Sequence, residues 1–183
     1  MRATFTQDQL DLEKTLRSLV EGERTAAREC LDRPWDGCRV DATLVRDFSV
    51  LGVPERAGGV GSSLVDLIVA VEVLGELLVP STFSAHAAAV QLLVDSGIDL
   101  GPALEGTATW VPAVDESGAA GWGSLTATTA EPAPKSLVPY AAAASAFAVL
   151  GADGVALVGS REVRPRESFD PSRPLADVVP EPG

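Results

Sequence analysis

Hydrophobic positions recur at helical spacing through the first 105 residues, and beyond them they gather into short runs rich in β-forming side chains. The most apolar tract, Val53 to Pro80 (VPERAGGVGSSLVDLIVAVEVLGELLVP), organises the rest. Pro54 holds Val53 extended, and Gly58, Gly59 and Gly61 predict a tight turn in which a Cβ would be strained. That turn feeds a helix from Leu64 to Val79, stopped by Pro80. Ser62 or Ser63 is placed to cap it, and Asp66 stands in the first turn, where a carboxylate favours the positive helix end. Asp66, Glu72 and Glu76 are its charged residues and fall within about a third of the circumference. The remaining faces are Leu, Ile, Val and Ala, so the helix is expected in the middle of a bundle with neighbours on several sides.

Around this tract the pattern predicts further helices. Thr6 with Gln9 forms a capping-box pattern ahead of Leu10, Leu16, Leu19 and Val20, giving a first helix from Gln7 to Glu21. A short helix near Arg24–Leu31 follows, then a loop with Pro34, Trp35 and Gly37. Asp41 reads as the cap of a third helix through Leu44, Val45 and Phe48, ended by Gly52. Ser81 or Thr82 caps another over Phe83–Ser96, with Gly97 behind it and a helical turn near Pro102–Leu104. Past Glu105 the character changes. Thr107–Val114, Ser124–Thr129, Phe147–Leu150 and Val155–Val158 read as strands, the last two joined by a turn at Asp153-Gly154. Ala141–Ala144 favours helix, but nearby prolines leave no room for a long one. The organisation is α+β: a helical domain over 1–105 and a β domain over 106–183, with no internal repeat.

Charge changes the picture of partners. The 183 residues carry a formal net charge of −12, and no Lys or Arg occurs between Arg56 and Lys135. A nucleic-acid surface needs clustered cations, so neither DNA nor an anionic membrane is an expected partner. Arg161, Arg164, Arg166 and Arg173 form a modest cluster, read as surface charges on a strand and loop. The opening MRATFTQDQ lacks a signal-peptide run, and no stretch has the 18 or so apolar residues of a membrane span. A cytoplasmic location is expected. Cys30 and Cys38 are too few for a disulfide framework, and with His86 as the sole further soft ligand they form no zinc pattern. They read as ordinary thiols.

Candidate chemistry is sparse. Gly59 and Gly61 begin a G-x-G pattern before a helix, but Leu64 occupies the third small position and VPERA precedes it instead of a hydrophobic strand, which excludes a dinucleotide fold. There is no phosphate-loop G-K-[ST] and no G-x-S-x-G elbow. A lone histidine such as His86, in an Ala-rich helix, is more often packed than catalytic, because general-base work needs a positioned partner. Asp115 and Glu116 read as turn residues.

These residues together resemble the N-terminal helical and middle β domains of the acyl-CoA dehydrogenase family. FTQDQLDL, the P-E-x-x-G-G-x-G turn with its apolar helix ending E-x-L-G, KSLVPYAAAASAFAVL and SFDPSRPLADV carry the resemblance, which covers most of the chain. It implies a helical bundle followed by a β-barrel-like middle domain. It also implies an FAD-dependent flavoprotein of fatty acid metabolism, an oxidoreductase that takes an acyl-CoA thioester to its α,β-unsaturated product. In the family a carboxylate from a C-terminal helical domain removes the α-proton, and the β-hydride goes to the flavin held between that domain and the middle one. This chain reaches Gly183 where that domain would begin, so no catalytic residue is expected within it.

The resemblance places Asp115, Ser117, Leu137 and Val138 at the cofactor and Thr82, Phe83 and His86 toward the acyl slot. It departs from the family pattern at both flavin stretches: Asp115-Glu116-Ser117-Gly118 replaces T-E-P-x-x-G-S, and Leu137-Val138-Pro139 replaces an aromatic, an aliphatic and a hydroxyl residue. No metal is implied. Implied partners are acyl-CoA, another acyl-CoA dehydrogenase-like chain or a second copy in a homo-oligomer, and an electron-transfer flavoprotein. Two functions follow: a catalytic component that works only with a C-terminal domain or partner chain, or a non-catalytic structural or binding subunit of such an assembly. The first would be yellow from bound flavin and the second colourless.

Overall fold

The structure is a computed structural model that describes residues 4–23, 25–114, 134–151 and 154–181. Among these the helices α1 (Gln7–Val20), α2 (Ala26–Glu29), α3 (Asp41–Phe48), α4 (Leu64–Glu76), α5 (Phe83–Leu93) and α6 (Gly101–Leu104) precede the strands. The strands are β1 (Trp110–Ala113), β2 (Lys135–Pro139), β3 (Ala146–Gly151), β4 (Gly154–Val158), β5 (Ser160–Arg166) and β6 (Leu175–Pro180). The Ser124–Thr129 segment lies outside the described residues.

Local sequence accounts for how the helices start. The expected capping box forms at α1, with Gln9 N–H donating to Thr6 Oγ1 and Thr6 N–H to Gln9 Oε1. Another forms at α4, between Ser63 and Asp66. Before α4 the chain doubles back: Gly58 is left-handed at φ +86°, and a Cβ on Gly59 would fall 2.1 Å from the Val53 carbonyl oxygen. Only glycine permits that approach.

Two ends differ from the sequence expectation. Helix α4 stops at Glu76, short of Val79, because Leu78 turns left-handed at φ +51°. Val79 N–H then reaches the Leu74 carbonyl (2.9 Å) and Leu78 N–H the Gly75 carbonyl (3.2 Å), a Schellman closure that satisfies the last carbonyls before Pro80 is reached. Asp41 sits inside the first turn of α3 and does not cap it; Val40 holds the capping position with no side-chain bond.

Helices α1 and α4 run parallel, tied near their starts by Gln9 Nε2 donating to Asp66 Oδ1 (2.9 Å) and near their ends by the Arg17–Glu76 pair. Leu16, Val20, Leu44, Leu67, Ala70, Val73, Leu74 and Phe83 fill the space between the helices. Fully burying each large aliphatic or aromatic side chain contributes about 1.5–3 kcal/mol. One side of α4 is left uncovered, so it does not sit mid-bundle among the described residues: Leu64, Val65 and Ile68 are each about half exposed.

The strands form two three-stranded sheets ordered β1-β3-β4 and β2-β6-β5, which do not close into a barrel among the described residues. Strands β1 and β3 are parallel, and β3 and β4 form the expected hairpin with Gly151 opposite Gly154. The second sheet is antiparallel, with a bulge in β2 between Lys135 and Val138. Ala141–Ala143 make a single 3-10 turn. Arg164 and Arg166 are exposed on β5 and Arg173 on the following loop; Arg164 pairs with Glu162 and Arg166 with Asp177. Helices and sheets share a core in which Val53, Val90, Leu93, Leu100 and Leu104 pack with Trp110, Ala148 and Val155.

Candidate functional site

The residues expected at the acyl slot converge on the start of α5. The Asp41 carboxylate accepts hydrogen bonds from Thr82 N–H and Thr82 Oγ1, both at 2.8 Å, and from Ser81 Oγ. Ser81 Oγ in turn accepts from Phe83 N–H at 3.0 Å. Thr82 is therefore buried with its hydroxyl committed, and Phe83 is fully buried in the helical core. One turn on, His86 is also fully buried, and its Nδ1 accepts from the Trp110 N–H at 2.9 Å. An imidazole that accepts at Nδ1 carries its proton on Nε2 when neutral. Nε2 makes no hydrogen bond of ordinary geometry, though the Ala103 backbone lends the ring support. Burial dominates and pushes the His86 pKa down. His86 bolts α5 to β1 as a neutral ring, and none of the three side chains meets an open surface.

The residues expected at the flavin lie on β2. Leu137 is half exposed and left-handed at φ +55°, while Val138 is buried in the sheet core. Leu137 N–H donates to Asp177 Oδ1 (3.4 Å), and Asp177 Oδ2 accepts from Arg166 Nε (2.7 Å). The arginine, first of several partners, holds the Asp177 carboxyl below the usual carboxylate range. Asp115 and Ser117 lie outside the described residues. Leu137 and Val138 share no hydrogen bond with the α5 group; between the two stands the β core of Val111, Val138 and Phe147, against which Ala85 packs.

Sequence reasoning missed the residues that clamp these parts together. Trp35 Nε1 donates to the Pro80 carbonyl at 2.7 Å, and its ring meets that of Tyr140 at 5.0 Å, tilted by 58°. Tyr140 is left-handed at φ +53°, and its hydroxyl donates to the Ser172 carbonyl at 3.2 Å. A Trp-Pro-Gly loop and a lone Tyr after a Pro were the available signals, but neither names a partner. Cys30 and Cys38 line one cavity of about 150 Å³ together with Glu23 and Arg39. Burial raises both thiols, Cys38 to about 12. No group of three or more His, Cys, Asp or Glu among the described residues is arranged to hold a metal, and no helix among them is long and apolar enough to cross a membrane.

No protein-family model and no curated protein matches the sequence. Solved structures do. The ChsE4-ChsE5 complex from Mycobacterium tuberculosis matches with a TM-score of 0.73 at 18% identity, covering 100% of this chain and 56% of that one. Butyryl-CoA dehydrogenase from Megasphaera elsdenii matches with a TM-score of 0.70 at 18% identity over 100% of this chain and 57% of its own. PigA with FAD and proline matches with a TM-score of 0.70, also at 18% identity, over 100% and 57%. The chain has the acyl-CoA dehydrogenase fold in its helical and small-sheet regions, and it spans a little over half the length of these structures.

That fold implies FAD, and the described part of its expected site does not fit. An isoalloxazine edge presents carbonyls and ring nitrogens that want N–H or O–H donors and a flat stacking surface. Here β2 offers an aliphatic side chain at Leu137, whose N–H is turned to Asp177, a buried side chain at Val138, and Pro139, which has no N–H. The nearby charge is the Asp177 carboxylate, already paired with Arg166.

Proposed function

We propose that this chain is a structural component of an acyl-CoA dehydrogenase-like assembly, non-catalytic by itself. It supplies the helical and β walls beside an acyl-CoA site, and a C-terminal domain or partner chain completes the assembly. The contact between Leu137 on β2 and Asp177 on β6 supports this reading: the stretch that the resemblance assigns to the flavin presents an aliphatic side chain whose N–H is given to Asp177, followed by a proline with no N–H. In this reading Thr82, Phe83 and His86 form the layer behind the acyl slot and fix the position of α5 without touching substrate. The experiment is to purify the chain with excess FAD, remove unbound cofactor and record the visible spectrum. A colourless protein with no turnover of acyl-CoA is expected; a stoichiometric flavin band overturns the reading.

A second reading has one observation in its favour, the fold shared with FAD-bound PigA at a TM-score of 0.70. In it the chain is a flavoprotein component that oxidises acyl-CoA to the enoyl product with its partner and hands electrons to an electron-transfer flavoprotein. The same spectrum decides between the two.

A further inference from the structure

Helix α4 shows an outward strip that changes character along its length. At its start Leu64, Val65 and Ile68 are 55, 49 and 55% exposed. At four-residue steps from Ile68 come Glu72 and then Glu76, both exposed, and on the same side a Cβ on Gly75 would meet nothing within 4 Å. An apolar half-turn thus leads into an acidic, close-approach half. The opposite side of α4 is already packed through Leu67, Ala70 and Leu74.

We infer that this strip docks an amphipathic helix of a separate, basic polypeptide, whose apolar residues cover Leu64, Val65 and Ile68 and whose Lys or Arg residues face Glu72, beside the Arg17–Glu76 pair. A helix laid on a neighbour meets it at positions three and four residues apart along one face, and Leu64, Ile68 and Gly75 stand on such a face at i, i+4 and i+11. Charge selects the occupant. Residues 1–105 hold nine Lys and Arg against 17 Asp and Glu, and the whole chain stands at −12. A second copy would bring carboxylates against carboxylates, and its own α4 and α5 contain no Lys or Arg. A like-charge contact raises the free energy of a wrong pairing, while a cationic helix gains at the same place. Arg17 is already committed to Glu13 and Glu76. The inference rests on the reading that the chain works in an assembly, and it names the chemistry of the partner.

The test uses the full chain and two designed helical peptides of about 18 residues. Both carry Leu and Ile anchors in their first half; one carries Lys and the other Glu two and three turns later. Anisotropy at low salt should show the Lys peptide binding at least about tenfold tighter than the Glu peptide, with the preference shrinking at high salt. Ile68→Asp should abolish binding of the Lys peptide, and Glu72→Lys should reverse the preference. Ile68 and Glu72 are exposed, and an unchanged melting curve for each variant keeps the comparison valid; should either melt early, Ile68→Ala and Glu72→Gln replace them. Equal binding of the two peptides, no binding of either, or a wild-type dimer in sedimentation that Ile68→Asp splits would each overturn the inference. A flavin-free chain whose assembly with a C-terminal partner survives Ile68→Asp would sink this surface and leave the assembly reading standing.

Discussion

The carboxylate of Asp41 caps a helix other than its own. It lies in the first turn of α3, yet Oδ1 receives the Thr82 N–H and Oδ2 the Thr82 hydroxyl, each at 2.8 Å, forty-one residues away. One acidic side chain thereby fixes α3 against the start of α5 and closes the group around Ser81, Thr82 and Phe83. Hydrogen bonds to an ionised acceptor contribute about 1.5–3 kcal/mol each, and leaving buried donors unpaired costs a comparable amount.

Asp41→Ala should therefore destabilise the fold by about 2–4 kcal/mol, and Asp41→Asn, which keeps one acceptor, by less. Thr82→Val removes a single hydroxyl bond and should cost about 1 kcal/mol. Urea unfolding followed by circular dichroism checks the order. Equal curves for wild type and Asp41→Ala would show that the cross-helix cap does not hold α5.

His86 makes stability fall on the acid side. Its pKa is lowered in the folded chain by burial, so below the unfolded value of about 6.5 the unfolded chain binds the proton that the folded chain refuses. Stability should be full above that pH and decline on acidification toward the folded pKa, by up to about 1.4 kcal/mol per pH unit from this group. In His86→Gln the amide oxygen can still accept from the Trp110 N–H while titration is gone. Melts across this range should show a shallower acid slope in the variant; parallel slopes count against a buried neutral ring.

Leu78 holds a left-handed conformation with its side chain 70% exposed, so it carries backbone strain without burying much surface. Glycine suits that closing position. Leu78→Gly should raise stability by about 0.5–1 kcal/mol, whereas glycine at the neighbouring Leu77 should lower it. Thermal melts of the two variants would settle the sign.

The thiols should be slow. A Cys38 pKa pushed up to about 12 leaves very little thiolate at neutral pH, and Cys30 is raised as well. Reaction with a disulfide reagent should run on the order of a hundredfold slower in the native chain than in denaturant. A fast native phase from either residue would mean that its surroundings favour the thiolate.

The sequence by itself determined the local structure. Capping boxes at Thr6 and Ser63, the glycine turn before α4, the β3–β4 hairpin and the change from helix to strand near Glu105 were all legible, because each is fixed by residues within a few positions of one another. The family-like order of these parts was legible for the same reason, since the quoted motifs are short and local. What only the tertiary structure decided is where side chains with several possible partners spend their bonds. Asp41 looked like the cap of its own helix and serves another, because a carboxylate accepts from whichever donors the packing brings near, and Ser81 and Thr82 arrive from forty residues on. Helix α4 looked able to run to Val79 and stops at Glu76, because Leu78 turns left-handed and the Schellman bonds to Leu74 and Gly75 close it sooner. Leu137 was legible as a departure from the flavin pattern, but its left-handed backbone and its tie to Asp177 arise from a bulge that exists only once β6 lies beside β2. Trp35, Tyr140 and Ser172 meet across more than a hundred residues, and no spacing along the chain encodes a contact made by the way two regions pack.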